Sequence, residues 1–163
     1  MIRVGIITAS DKGAKGERED LSAPVIKELM ARIGGRVEAY AVVPDDRSFL
    51  EQKLKEFADE RGLDLIFTTG GTGFAPRDVT PEATLAVADK LVPGLGEAMR
   101  AASLKVTPKA MLSRATAVIR KQSLIVNLPG SPKAVKECLE VILPSLTHGI
   151  DILKERAEEC GGE

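Results

Sequence analysis

Leu63-Asp64-Leu65-Ile66-Phe67-Thr68-Thr69 runs directly into Gly70-Gly71-Thr72-Gly73, and this junction decides the fold. The first seven residues are a short apolar run with β-branched and aromatic members, bounded by turn formers, which reads as a buried strand. The glycines that follow admit positive φ and let a ligand approach the backbone closely. Three glycines and Thr72 after a buried strand, in a loop too long for a simple turn, favour contact with a phosphate or nucleotide over an empty turn. The stretch is not a P-loop, because no Gly-Lys-Ser/Thr follows, and it does not match the G-x-G-x-x-G dinucleotide fingerprint.

Working outward, strands and helices alternate. Arg3 to Ala9 is a first strand. Leu21, Val25, Ile26, Leu29, Met30 and Ile33 recur three and four apart, a helical stripe ended by Gly34-Gly35. Arg36 to Val43 is a second strand, stopped by Pro44. Phe49, Leu50, Leu54, Phe57 and Ala58 mark a second helix ending near Gly62. Downstream, Thr80-Pro81 reads as an N-cap and first helical residue. Gly94 to Ala102 reads as a short helix, and Ala117–Arg120 and Ser123–Asn127 as strands. Ser131 is placed to cap a last long helix, with Pro132 at its first position. That helix buries Val135, Cys138, Leu139, Ile142 and Leu146, and Pro144 is expected to kink or divide it. The alternation predicts an α/β fold with a mostly parallel, doubly wound sheet.

The chain has 163 residues, enough for one domain with its own core. A net charge of −1 gives no support to non-specific binding of nucleic acid or anionic membrane. No apolar run approaches the length of a membrane span, and the start of the chain reads as a strand, not a signal peptide. Cytoplasmic residence is therefore expected. Cys138 and Cys160 make no metal-ligand pattern. Cys138 is expected as a small core side chain, and Cys160 falls in a polar tail over 157–163 that is expected to be flexible.

In open parallel sheets ligands bind at the carboxyl ends of the strands. Four loops at that rim carry unusual residues: Ser10-Asp11-Lys12-Gly13, Pro44-Asp45-Asp46, Gly70 to Gly73, and Asn127-Leu128-Pro129-Gly130-Ser131. Asp45 and Asp78 are the candidate functional carboxylates, hard oxygen ligands of the kind that hold magnesium. Asp45 and Asp46 stand just before a helix, where one of them can cap and leave the other free. Asp78 is less easily explained as a cap, since Thr80 is available. Lys12, Arg77, Arg114 and Lys121 are candidate phosphate partners or solvated charges; Arg114 and Ser113 interrupt an apolar stretch and rank first. His148 is read as structural, and no Ser-His-Asp, Cys-His or zinc arrangement is present.

The motifs TTGGTG, RDVTPEAT, LSRA and IVNLPGSPKAVKECL, in this order, resemble the molybdopterin adenylyltransferase family, which includes bacterial stand-alone enzymes and the corresponding domain of plant and animal fusion proteins such as gephyrin. The resemblance covers almost the whole chain. It implies a three-layer α/β/α fold, a homotrimer, and transfer of AMP from Mg-ATP to the terminal phosphate of molybdopterin. It places Asp45 and Asp78 as catalytic residues, assigned here to Mg2+ binding. It implies substrate or nucleotide contacts at Ser10, Gly70, Gly71, Thr72, Gly73, Ser113, Arg114, Asn127, Pro129, Gly130 and Ser131. A single domain over 1–156 is expected, with no second domain for molybdate insertion, so a separate insertion protein is the expected downstream partner. The competing reading is a molybdopterin-binding or scaffold module of the same fold with little or no transferase activity.

Overall fold

The structure of the protein, a computed structural model, describes residues 1–156. Its strands are β1 (Ile2–Ala9), β2 (Gly35–Val43), β3 (Leu65–Thr69), β4 (Lys90–Leu91), β5 (Ala117–Arg120) and β6 (Ser123–Leu128). Its helices are α1 (Asp11–Ala14), α2 (Ser22–Ala31), α3 (Arg47–Lys55, continued by a wider turn over Glu56–Glu60), α4 (Thr80–Ala86), α5 (Pro93–Leu104) and α6 (Pro132–Leu153). One sheet runs β2-β1-β3-β6-β5-β4. The first four strands in that order are mutually parallel, and β5 is antiparallel to both β6 and β4.

The two-residue pleat period sorts the core. Ile2, Val4 and Ile6 of β1 join Ile26 and Met30 of α2, Met99 of α5 and Val135, Leu139 and Ile142 of α6 on one face. Ile7 and Ala9 pack with Leu50 and Leu54 of α3, Phe57, and Ala83 of α4 on the other. The result is helix, sheet and helix in three layers, as the resemblance implies. Cys138 is buried on the first of these faces, as expected for a small core side chain. The antiparallel edge follows from the short link between β5 and β6. Lys121 and Gln122 are the only residues between them, and so short a connection closes only an antiparallel hairpin. Lys121 adopts a φ of 51°, and its N–H is held by Asp89 at 2.7 Å.

Two expectations are corrected. Pro144 does not divide α6, which is one continuous helix through it. Pro144 and Glu140 both lie on the exposed face, so the carbonyl that loses its helical partner faces solvent while the buried stripe runs on to Ile150. Thr80 does not cap α4. It is the first helical residue, the N-cap position is Val79, and the Thr80 hydroxyl has no partner among the described residues. Ser131 caps α6 as expected, accepting from the Ala134 N–H at 3.2 Å. The tail expected over 157–163, with Cys160, lies outside the described residues.

Candidate active site

Register brings the unusual loops to one rim. Ala9 lies opposite Val43, Thr8 opposite Thr69, and Thr69 opposite Leu128. The segments leaving β1, β2, β3 and β6 therefore emerge side by side at the carboxyl edge. Between them is a cavity of about 750 Å³. Ser10, Asp45, Gly70, Gly71, Asp78, Gly130 and Ser131 all lie on its wall.

The turn after β3 takes the form that its glycines permit. Gly70 has φ +83° and Gly71 φ +69°, both left-handed. A Cβ on Gly70 would stand 2.6 Å from the Ala9 carbonyl oxygen. The Gly70 N–H donates to Leu128 O at 3.2 Å, but the N–H groups of Gly71, Thr72 and Gly73 meet no protein acceptor among the described residues. Free amide groups on a left-handed turn are suited to an anion.

Asp45 is held beside this turn. Asp46 caps α3 by accepting from the Phe49 N–H at 3.1 Å, which leaves Asp45 free of that duty. Asp45 instead exchanges bonds with Asp11: its Oδ2 accepts from the Asp11 N–H at 3.0 Å, and its own N–H donates to Asp11 Oδ1 at 3.0 Å. Burial pushes the Asp45 carboxyl above the ordinary carboxylate range, the Asp11 amide opposes this, and the charges of Asp11 and Asp78 add to the rise. Arg77 forks onto Asp11 at 2.7 and 3.0 Å and holds the Asp11 carboxyl below its ordinary value, so this arginine is already paired.

Asp78 closes the other side. Its Oδ2 accepts from the Ala75 N–H at 3.0 Å. Arg114 braces the loop that carries it, donating to Gly73 O at 2.8 Å, to Asp78 O at 2.8 Å and to both oxygens of Glu82. The Arg114 guanidinium is thus committed to protein acceptors and does not lie on the cavity wall.

The other expected contacts are also placed apart from the cavity. Thr72 and Gly73 sit behind the turn. Asn127 is fully buried in β6, where its amide nitrogen donates to Thr68 and Thr84 at 2.9 Å each and its oxygen accepts from the Thr116 N–H. Ser113 and Pro129 line a separate cavity of about 220 Å³ against α5 and α6. His148 is exposed on α6.

Among the wall residues absent from the expected set are Thr8, Arg18, Asp20 and Tyr40. Asp20 accepts from the Thr8 hydroxyl at 2.5 Å, the Tyr40 hydroxyl at 2.6 Å and the N–H groups of Ser22 and Ala23. These four donors outweigh the effect of burial and lower the Asp20 carboxyl, while burial and Asp20 together raise the Tyr40 phenol to about 12. A carboxylate immediately before the helical stripe that begins at Leu21 is the one legible signal, that of a cap. Nothing in the sequence singles out Tyr40, inside the second strand, or Arg18, in a polar loop.

The wall carries four carboxylates, Glu19, Asp20, Asp45 and Asp78, against one cation, Arg18. A phosphate-bearing ligand therefore needs positive charge brought with it. No cluster of three or more metal-ligating side chains exists among the described residues. Two carboxylates beside free amides fit magnesium, which usually takes one or two protein carboxylates plus substrate phosphates and waters.

A family model described as a probable molybdopterin binding domain matches residues 5–148. The molybdopterin adenylyltransferase of Helicobacter pylori is 46% identical over 154 residues, covering 93% of this chain and 88% of that protein. The chain belongs to the molybdopterin adenylyltransferase family. The Escherichia coli relative of the same name is also 46% identical, over 91% of this chain and 80% of its own. The solved structure of the molybdopterin biosynthesis enzyme MoaB from Thermus thermophilus superimposes with a TM-score of 0.90 at 50% identity, covering 95% of this chain and 98% of that one. Family membership and the three-layer fold therefore agree with what the four sequence motifs imply.

Proposed function

We propose that the protein adenylylates molybdopterin, with ATP as co-substrate and magnesium as the accompanying ion. The observation that carries this reading is the left-handed Gly70-Gly71 turn, which shares the wall of one cavity of about 750 Å³ with Asp45 and Asp78 and leaves the Gly71 N–H without a protein acceptor among the described residues. A terminal phosphate oxygen of molybdopterin attacks the α-phosphorus of ATP, a new P–O–P bond forms, and the bond to the β-phosphate oxygen breaks as pyrophosphate leaves. The attacking phosphate is already anionic, so no side chain has to remove a proton. Catalysis at phosphorus then rests on positioning and charge neutralisation. Magnesium would supply neutralisation of the phosphate charge, held by Asp45 and Asp78. The chain itself contributes the amide of Gly71 toward a phosphate oxygen, the Gly130-Ser131 turn as a wall, and the Arg114 brace that keeps Asp78 in place.

We further propose that the protein works in the cytoplasm as a homotrimer and passes its product to a separate molybdate-insertion protein. No helix among the described residues is long and apolar enough to cross a membrane.

The test is incubation with molybdopterin, ATP and magnesium, followed by mass spectrometry for adenylylated molybdopterin and pyrophosphate. Product that forms with the wild type and falls by at least about 100-fold with Asp45→Ala or Asp78→Ala supports the reading. Bound pterin with no AMP transfer would make the protein a binding module instead.

A further inference from the structure

Asp20 lies on the cavity wall, in the segment between α1 and α2, and each of its carboxylate oxygens accepts two hydrogen bonds. Oδ2 takes the Thr8 and Tyr40 hydroxyls at 2.5 and 2.6 Å. Oδ1 takes the Ser22 and Ala23 N–H groups at 2.9 and 3.1 Å. A carboxylate offers about four acceptor sites, so this one is saturated. An acid so fully engaged is not free to hold magnesium, although it lines a cavity read as a site for phosphates. Its partners show what it does instead, because two routes lead from it to the glycine turn. The first runs through Thr8, whose hydroxyl accepts from the Thr69 hydroxyl at 3.3 Å, and Thr69 immediately precedes Gly70. The second runs through Ser22, whose hydroxyl donates to the Gly130 carbonyl at 2.8 Å. Gly130 packs in turn on Gly70, where a Cβ on Gly130 would stand 3.6 Å from the Gly70 Cα. Asp20, Thr8, Thr69, Gly70, Gly130 and Ser22 therefore form a closed ring of contacts, and all six lie on the cavity wall.

We infer that Asp20 is a positioning residue for adenylyl transfer: it fixes the Gly70-Gly71 turn and the Gly130 turn in the places that seat the phosphates of the nucleotide. The inference rests on the reading of this cavity as a Mg-ATP site. Asp20 touches no reacting atom. It joins β1 through Thr8, β2 through Tyr40 and the first turn of α2 through two amides. The bonds that run from Thr69 through Thr8 to the carboxylate polarise one another and strengthen the tie. Truncating the side chain at position 20 releases both routes at once. Rate at phosphorus depends steeply on placement, since a displacement of about 1 Å costs up to about 100-fold. Asparagine, by contrast, preserves the ring. Its oxygen keeps the two α2 amides, and its amide N–H groups donate to the Thr8 and Tyr40 oxygens once those hydroxyls turn to accept.

The experiment measures kcat, KM for ATP and the magnesium requirement of adenylyl transfer, each well below the melting temperature. It compares wild type, Asp20→Ala, Asp20→Asn, Ser22→Ala and the Asp20→Ala, Ser22→Ala double variant. Asp20→Ala is expected to lower kcat about tenfold or more while KM for ATP changes by less than about threefold. Asp20→Asn is expected to restore kcat to within about threefold of wild type, at the wild-type magnesium requirement. Ser22→Ala cuts one route and is expected to lower kcat about threefold or more. The double variant is expected to be no worse than Asp20→Ala, because the two residues act in series. An Asp20→Ala enzyme that melts lower but keeps the wild-type kcat would make Asp20 a residue of folding alone and overturn the assignment, while the cavity reading stands. A raised magnesium requirement in Asp20→Asn would overturn it as well, by making Asp20 a metal ligand. Should Asp20→Ala fail to fold, Ser22→Ala carries the test, and a wild-type kcat in that variant overturns the assignment. If the wild type itself forms no adenylylated product, the transfer reading fails and the inference falls with it.

Discussion

At Asp45 the fold keeps a carboxylate where burial and two neighbouring acids oppose its charge. A carboxyl whose folded pKa lies above its unfolded value binds more protons in the folded state over the interval between the two. Stability therefore falls as pH rises through that interval, beginning near the unfolded value of about 4, and stays lower above it. Asp45→Asn removes the charge and keeps an oxygen for the Asp11 N–H. We expect the variant to melt higher than wild type at pH 7, with the advantage shrinking toward pH 4, while adenylyl transfer is lost. Equal melting at both pH values would contradict the electrostatic account of this residue. Arg114 gives a second prediction at this scale. Lysine keeps the charge but cannot fork onto Gly73 O, Asp78 O and Glu82 together. The ion pair is partly exposed, so Arg114→Lys should cost only about 1 kcal/mol in denaturant melts. Transfer should fall about tenfold or more because Asp78 loses its brace. A drop in stability without a drop in rate would show that the brace serves folding alone. From sequence, Arg114 ranks first among the candidate phosphate partners, but nothing in LSRA tells that its partners lie in the glycine loop and on α4. Asn127 is similar: a lone amide in an apolar strand signals a special role without revealing that Thr68, Thr84 and Thr116 fully engage it.

At the scale of elements, long segments were legible and short ones were not. β1, β2, β3, β5 and β6 lie where the apolar runs place them, and α2 and α6 carry the stripes that define them. α1 and β4, of four and two residues, are too short to show any periodicity. β4 exists because β5 offers it a partner, and α1 is started by the Ser10 cap on the Gly13 N–H. The cap expected at Thr80 failed for a related reason: Thr-Pro before a helix is a local pattern, and in the fold Thr80 is drawn into the helix with its N–H on the Gly71 carbonyl. The far end of α6 also depends on a distant partner. Lys154 pairs with Asp64 at 2.8 Å, with side chains 15% and 2% exposed, and Asp64 accepts from the Arg3 N–H at 2.8 Å. Burial raises the Asp64 carboxyl, but the Arg3 amide and Lys154 together lower it overall. Its contribution to stability is then fully present above the unfolded value of about 4 and is lost as pH falls through the lower folded value. Asp64→Asn should destabilise the protein by about 3 kcal/mol at pH 7, since it leaves Lys154 poorly paired, and the penalty should shrink below pH 4. Acid titration of both proteins followed by circular dichroism checks this. A penalty that stays constant to pH 2 would show that packing, not charge, is what the substitution disturbs.

For the whole molecule the informative surface lies opposite the β2 edge of the sheet. The β2 edge presents Arg36 and Glu38 to solvent, charged residues that discourage further strand pairing. The other side is different in character. Leu91 on β4, Leu104 at the end of α5, Val106 beyond it, and Met111 and Leu112 in the turn Pro108–Leu112 are all exposed, from 44% to 66%. Single exposed apolar residues are ordinary, but five within 22 residues of chain, on neighbouring elements, are what a subunit contact leaves bare in an isolated protomer. The homotrimer implied by the family resemblance would cover them. A closed ring of three needs a head-to-tail contact that joins this face to a different surface of the next copy. Light scattering after gel filtration should therefore give three times the chain mass of 17.4 kDa. Leu104→Glu combined with Met111→Glu should shift that mass toward one chain while far-ultraviolet circular dichroism stays unchanged, because neither side chain belongs to the protomer core. A wild type that elutes as a monomer, or a double variant that keeps the trimer mass, would remove this face from the assembly.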